Sequence, residues 1–123
     1  MLKAEFLDIP VTRTLMGQGA ISDKHPLSVG MTGFWGTDFV NGMTKNADVI
    51  LGIGTRFAEA DSSSWYKGVT FNIPPTKLIQ IDIDEEEIGR NYPVEIGAIA
   101  DAKLALKTIK EKAKEIKPEG IDR

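Results

Sequence analysis

Three glycine-bearing stretches and one arginine carry most of the chemical potential of this sequence. Gly17 with Gly19, Gly30 with Gly33, and Gly52 with Gly54 each follow a short apolar or β-branched run. Glycine lets a chain turn sharply and lets a phosphate or ring approach the backbone amides. Arg56 stands just beyond Gly54, which puts a fixed positive charge where a phosphate would pair with it. Asp82 and Asp84 follow Lys77–Ile81 and suit a ribose hydroxyl. Two readings stand at this point: the glycines receive a nucleotide, or they only make tight turns between strand and helix. Neither G-x-G-x-x-G after the first strand nor G-x-x-x-x-G-K-[ST] occurs.

Other reactive residues form no catalytic set, and no catalytic residue or metal ligand is assigned. The single histidine, His25, lies beside Pro26 in a turn-like stretch and reads as a solvent residue. Ser62-Ser63-Ser64 has no base assigned to it and reads as a solvated loop. Glu85-Glu86-Glu87 resembles a metal site less than a helix start, because hard cations need oxygens converging from several segments. Trp35, Trp65, Tyr66 and Phe71 sit in or beside loops. They either pack locally or offer a docking surface, since aromatics are enriched at interfaces.

The elements that must position these residues alternate in type. Leu2–Leu7 reads as a helix end, stopped by Asp8-Ile9-Pro10. A chain that opens on a helix tail suggests an absent upstream segment. Val11–Thr14 is a short strand with a glycine-rich exit, and Leu27–Gly30 a very short one. Thr37 caps a helix carrying Phe39, Val40 and Met43 on one face. Val49–Ile53 is apolar without alternation, which marks a strand buried on both faces. Segment 58–71 is irregular, and Pro74-Pro75 stiffens the approach to the strand Lys77–Asp84. Asp84 and Glu87 have capping-box spacing for a short helix ended by Gly89. Val94–Ala100 is the last strand, and Asp101 caps a final amphipathic helix closed by Pro118. Strands alternating with helices imply a parallel α/β sheet with helical crossovers.

Composition narrows the function classes. The 123 residues allow one domain with a real core. A net charge of -3 and dispersed basic residues speak against nucleic acid. There is no cysteine, which excludes disulfides and thiolate metal sites and fits a reducing, cytoplasmic setting. The start carries an acid early and no long apolar run, unlike a signal peptide. No run approaches the roughly 20 apolar residues that span a bilayer, so no membrane partner is expected.

An ordered set of segments resembles the central domain of thiamine-diphosphate-dependent enzymes of the acetolactate synthase type. The set is Val11–Ile21 with His25-Pro26-Leu27, Gly30-Met31-Thr32-Gly33, Ala47–Phe57, and Leu78–Asp84 through Ile88-Gly89. The resemblance runs from about Leu2 to Lys112. It implies a Rossmann-like parallel sheet with helices on both faces and about five strands here, the family's first βα unit being missing. Residues 1–123 would then form a single central domain, with 118–123 as a tail. In the family the absent strand lies between those matching Val11–Thr14 and Val49–Ile53. The expectation is that these two neighbours pair directly, or that another copy fills the gap.

The same resemblance implies a structural role. The activating glutamate and the Gly-Asp-Gly…Asn segment of the family belong to other domains, so this chain is not expected to catalyse alone. Thiamine diphosphate and Mg²⁺ would belong to the parent enzyme. The pyrimidine- and diphosphate-binding domains, or a second copy in a homo-oligomer, would be its partners. Some family members bind FAD here. The matching positions are Thr14, Leu15, Gly30, Gly33, Gly54, Arg56, Asp82, Ile83 and Asp101. This chain departs in lacking the glycines of the first turn, and in reading Ala58-Glu59-Ala60-Asp61 where two acids and a second arginine are usual. FAD is therefore not expected to be retained. The alternative is a free-standing FAD- or ADP-type nucleotide module built on the strand-end glycines and Arg56.

Overall fold

Val49–Ile53 does form a strand, but it lies at one edge of its sheet with Val49 53% exposed, so it is not the strand buried on both faces that its apolar run suggests. The computed structural model describes residues 2–119. In order, they form α1 (Leu2–Leu7), β1 (Val11–Arg13), β2 (Ser28–Met31), α2 (Asp38–Lys45), β3 (Val49–Ile53), β4 (Lys77–Asp82), β5 (Ile96–Ile99) and α3 (Ala102–Ile116). Short 3-10 turns lie at Gly33–Trp35 and Glu85–Glu87, and another within Ala60–Trp65, where Ser63 and Ser64 break the helical geometry. Of the expected tail, residues 120–123 lie outside the described residues.

Every strand pair is parallel, but the strands divide into two sheets. β1 pairs with β2, and β3, β4 and β5 pair in that order. The direct β1–β3 pairing expected from sequence is not formed. Each of those strands is hydrogen-bonded on one side only, so the α/β architecture holds while the sheet is interrupted at its middle.

Caps set the helix starts. Thr37 Oγ1 accepts from Val40 N at 3.2 Å and begins α2. Asp101 Oδ2 accepts from Leu104 N at 3.1 Å and begins α3. Asp84 accepts from Glu86 N, but the segment it caps is one 3-10 turn rather than a helix. α3 lies against β4 and is met by α1, while α2 packs on β2. No described helix is long and apolar enough to cross a membrane.

Alternation along β4 sends Leu78 and Ile81 to opposite faces of the three-stranded sheet. On the Ile81 side lie Ala98 and the apolar face of α3. On the Leu78 side, segments outside regular structure supply Phe57, Phe71, Ile73 and Tyr92, with Ile50 and Val94 beside them. Phe57, Phe71 and Tyr92 meet edge to face at centroid distances of 5.4–5.7 Å. Such a pair contributes about 0.5–1.5 kcal/mol beyond its buried area. Phe71 is only 5% exposed, so it is a core residue and not part of a loop surface. Trp35 and Tyr66 are exposed, while the Trp65 indole N–H donates to Phe57 O at 2.7 Å.

Candidate functional site

The exit of β3 turns under its own sheet. Gly54 takes φ +67°, and its N–H donates to Ile81 O at 2.9 Å. Phe57, itself at φ +56°, folds back so closely that a Cβ on Gly52 would lie 2.7 Å from its ring. Gly52 is therefore required by Phe57. Arg56 is left on the rim of a polar hollow of about 220 Å³, shared with Glu59, Trp65, Glu87, Arg90 and Asn91. Asn91 holds the turn by donating to Arg56 O at 2.8 Å and Phe57 O at 3.2 Å. Arg90 pairs with Glu87 at 3.2 Å, while Glu87 Oε2 is buried without a partner. Two guanidinium groups thus face two carboxylates. Their formal charges cancel, unlike the positive excess of a phosphate clamp.

The exit of β3 is fastened by Gln80, which the sequence pattern shows only as one more residue of an apolar strand. It is 2% exposed. Its Nε2 donates to Glu87 O at 2.9 Å and to Thr55 O at 3.3 Å, and its Oε1 accepts from Gly89 N at 2.9 Å. One amide thus ties the exit of β3 to the turn after β4.

The two-stranded sheet ends in a second cluster. Leu15 N donates to Asp61 Oδ1 at 3.3 Å, and Gly17 N to Thr14 Oγ1 at 3.0 Å. Gly30 takes φ +107°. Gly33, at φ +77°, sits so tightly on segment 60–61 that a Cβ would fall 2.0 Å from Ala60 O. Asn41 grips Gly33 from both sides, accepting from its N–H at 2.9 Å and donating to its carbonyl at 3.0 Å. Asn41 Oδ1 also accepts from Thr70 Oγ1, which meets Ser63 Oγ at 2.7 Å. Thr44 Oγ1 donates to Thr70 O. This network holds Ser63, Ser64 and Trp65 at φ between 50° and 61°. Ser62 and Ser63 are buried, so the serine run is not the solvated loop its composition suggests. Nothing in the sequence pattern marks Asn41 or Thr70 as its partners.

The flavin-matching positions fall at two places. Gly54, Asp82, Ile83 and Asp101 share the carboxyl end of the three-stranded sheet, with Arg56 beyond it. Thr14, Leu15, Gly30 and Gly33 share that of the two-stranded sheet. A flavin's ADP portion would need free amides there. The amides of Leu15, Gly33 and Gly54 all donate within the protein. Asp82 Oδ1 accepts from Asp84 N at 3.0 Å, and Asp101 caps α3. The amides that would receive a flavin nucleotide are thus already engaged within the protein. Among the described residues, no three His, Asp or Glu side chains are grouped to hold a metal ion. His25 is not a solvent residue either. Its Nδ1 accepts from Leu27 N at 3.1 Å, which leaves Nε2 to donate to Glu5 Oε1 at 2.7 Å and tie α1 to the loop.

Known proteins resolve the family. The model of the thiamine pyrophosphate enzyme central domain matches residues 3–109. The chain belongs to that family. A probable acetolactate synthase large subunit of Methanococcus aeolicus is 44% identical over 105 residues, covering 85% of this chain and 17% of that protein. The acetolactate synthase large subunit of Corynebacterium glutamicum is 35% identical over 119 residues, 97% of this chain and 18% of its own length. Glyoxylate carboligase of Escherichia coli O157:H7 is 36% identical over 118 residues, 95% of this chain and 19% of its own. The chain spans less than a fifth of each curated relative. Relatives of two differently named activities match it over nearly the same span with nearly the same identity.

Proposed function

We propose that this chain serves as the structural central domain of an acetolactate-synthase-like enzyme and carries no step of the reaction by itself. The observation that supports this most directly is the match of residues 3–109 to the central domain. Thiamine diphosphate and Mg²⁺ would be held by pyrimidine- and diphosphate-binding domains outside this chain. Mg²⁺ takes oxygen ligands and substrate phosphates in octahedral geometry, and that chemistry would be supplied there. The side chains at the two strand-end clusters have a different task. They close turns, cap helices and bind loop to sheet, which gives a stiff body between catalytic domains. Thr14, Leu15, Gly30, Gly33, Gly54, Asp82 and Asp101 are read as these turn and cap residues, with Ile83 and Arg56 left at the surface.

The test is direct. The chain alone, incubated with pyruvate, thiamine diphosphate and Mg²⁺, should form no acetolactate. Its melting temperature should not move on addition of thiamine diphosphate, FAD or ADP, because a ligand that binds only the folded state raises it. A saturable rise with FAD or ADP that is lost in Arg56→Ala would favour a nucleotide module and contradict the structural reading.

A further inference from the structure

Of the four asparagines in the sequence, only Asn41 is followed by glycine; Asn46, Asn72 and Asn91 precede Ala47, Ile73 and Tyr92. An asparagine loses its amide when the next backbone nitrogen attacks its side-chain carbon. A side chain on that next residue crowds the attack, and glycine has none. Nothing in the packing requires glycine at position 42. A Cβ there would meet no atom within 4 Å, and glycine weakens a helix interior. The reactive pair nevertheless sits in the middle of α2.

The fold holds Asn41 in two ways. Its backbone N–H donates to Thr37 O at 3.0 Å, within the helix. Ring closure requires Asn41 to leave helical ψ, so that Gly42 N can reach its Cγ. Its side chain is held as well. Oδ1 accepts from Gly33 N at 2.9 Å and from Thr70 Oγ1 at 3.1 Å, and Nδ2 donates to Gly33 O at 3.0 Å. Thr70 is fully buried and is gripped in turn by Thr44 Oγ1, from the next turn of α2. The nitrogen that deamidation would remove is thus itself a structural donor. Gly33 rests on Ala60 and Asp61, and beyond them Ser63, Ser64 and Trp65 are kept at positive φ.

We infer that Asn41-Gly42 is a deamidation site that this clamp holds closed, and that reaction there undoes the clamp irreversibly. When α2 and the Gly33 turn open, Gly42 N bonds to Asn41 Cγ and gives its proton to solvent base, and Nδ2 leaves as ammonia. Water then opens the cyclic imide at either carbonyl. The net change takes an amide and a water to a carboxylate and an ammonium ion. Opening at the side-chain carbonyl gives aspartate, whose second oxygen faces Gly33 O where Nδ2 had donated. Opening at the backbone carbonyl gives isoaspartate, which adds a methylene to the main chain in mid-helix. Neither product has a donor for Gly33 O. The segment from Ala60 to Trp65 then loses the contact that holds its strained backbone.

Peptide mapping of the full 123-residue chain by mass spectrometry, in buffer and in urea, tests this. In urea Asn41 should deamidate at least about tenfold faster than Asn46, Asn72 or Asn91, and Gly42→Ala should remove that excess. In buffer the Asn41 rate should fall at least about tenfold, because the reaction follows the population of the open form. Thr70→Val removes the donor to Asn41 Oδ1 and leaves the Asn-Gly pair untouched. It should raise the rate in buffer at least about threefold and leave the rate in urea unchanged. The consequence is read on Asn41→Asp by amide exchange. Ser64 N and Tyr66 N, which donate to Glu59 O and Ser63 O, should exchange at least about tenfold faster than in the parent. Four outcomes would overturn the proposal. They are an Asn41 rate in buffer equal to that in urea, and a rate in urea no higher than at the other asparagines. The others are a Thr70→Val chain that reacts in buffer like the parent, and an Asn41→Asp chain whose Ser64 and Tyr66 amides exchange as before.

Discussion

Replacing Gln80 by leucine isolates the link between the β3 exit and the turn after β4. The substitution puts an apolar side chain of similar bulk at a site 2% exposed. It removes three hydrogen bonds, strands Gly89 N, whose partner at 2.9 Å was on Gln80, and leaves Glu87 O only the long bond from Arg90 N at 3.4 Å. A buried group left without a partner costs about 1–3 kcal/mol. Some of that is offset by the added apolar burial, so a net loss of about 3 kcal/mol is expected for the pair. For a domain of this size that lowers the melting temperature by roughly 12 °C. Urea denaturation should show a lower midpoint with an unchanged slope, which separates stability from a changed denatured state. Gln80→Glu adds a pH signature. A carboxylate there still accepts from Gly89 N, but its other oxygen faces the carbonyls of Glu87 and Thr55. Its folded pKa is then raised above the ordinary value near about 4.3. A raised carboxyl pKa leaves stability intact below the unfolded value and removes it as pH rises. This variant should approach the parent near pH 4 and fall well below it at pH 8. A leucine variant within about 0.5 kcal/mol of the parent, or a glutamate variant equally unstable at both pH values, would refute the reasoning.

Further perturbations test other joints of the fold. Gly33→Ala should destabilise by more than about 2 kcal/mol in thermal melts, because its Cβ meets Ala60 O at a positive φ. Phe71→Ala should cost about 3–5 kcal/mol by opening the aromatic triad, read as the shift in urea midpoint. Burial pushes the Tyr92 hydroxyl above its ordinary pKa of 10.0, partly offset by the neighbouring Ser62 hydroxyl. Neither hydroxyl reaches good hydrogen-bond geometry. The neutral phenol is thus favoured in the fold, and its contribution is complete below pH 10 and lost as pH rises through the folded value. Tyr92→Phe should flatten that alkaline loss in a stability–pH profile.

Local signals made part of this legible in the sequence. Val49–Ile53 has the bounds its apolar run suggests, and Thr37 and Asp101 cap the helices that begin beside them. The strand–helix alternation implies the parallel α/β class that the fold shows. What escaped is long-range. Phe71 lies in a segment without periodicity, and only its contact with Phe57 and Tyr92 makes it core. Asn41, Thr70 and Ser63 are far apart in sequence and meet through tertiary packing alone. The glycines of the strand exits suggest ligand approaches. Gly33 and Gly52 are needed instead because Ala60 and Phe57 press against them. Direct pairing of β1 with β3 does not occur, and no local pattern in either strand specifies its neighbour.

A structural role for this domain makes it indifferent to the reaction carried out by the enzyme around it. Residues 3–109 should be exchanged for the matching segment of two relatives, the Methanococcus aeolicus acetolactate synthase large subunit and the Escherichia coli glyoxylate carboligase. Product analysis with pyruvate and with glyoxylate should find that each chimera keeps the reaction of its recipient. A chimera that assembles like its recipient yet turns over nothing, or one whose product follows the transplanted segment, would contradict the claim.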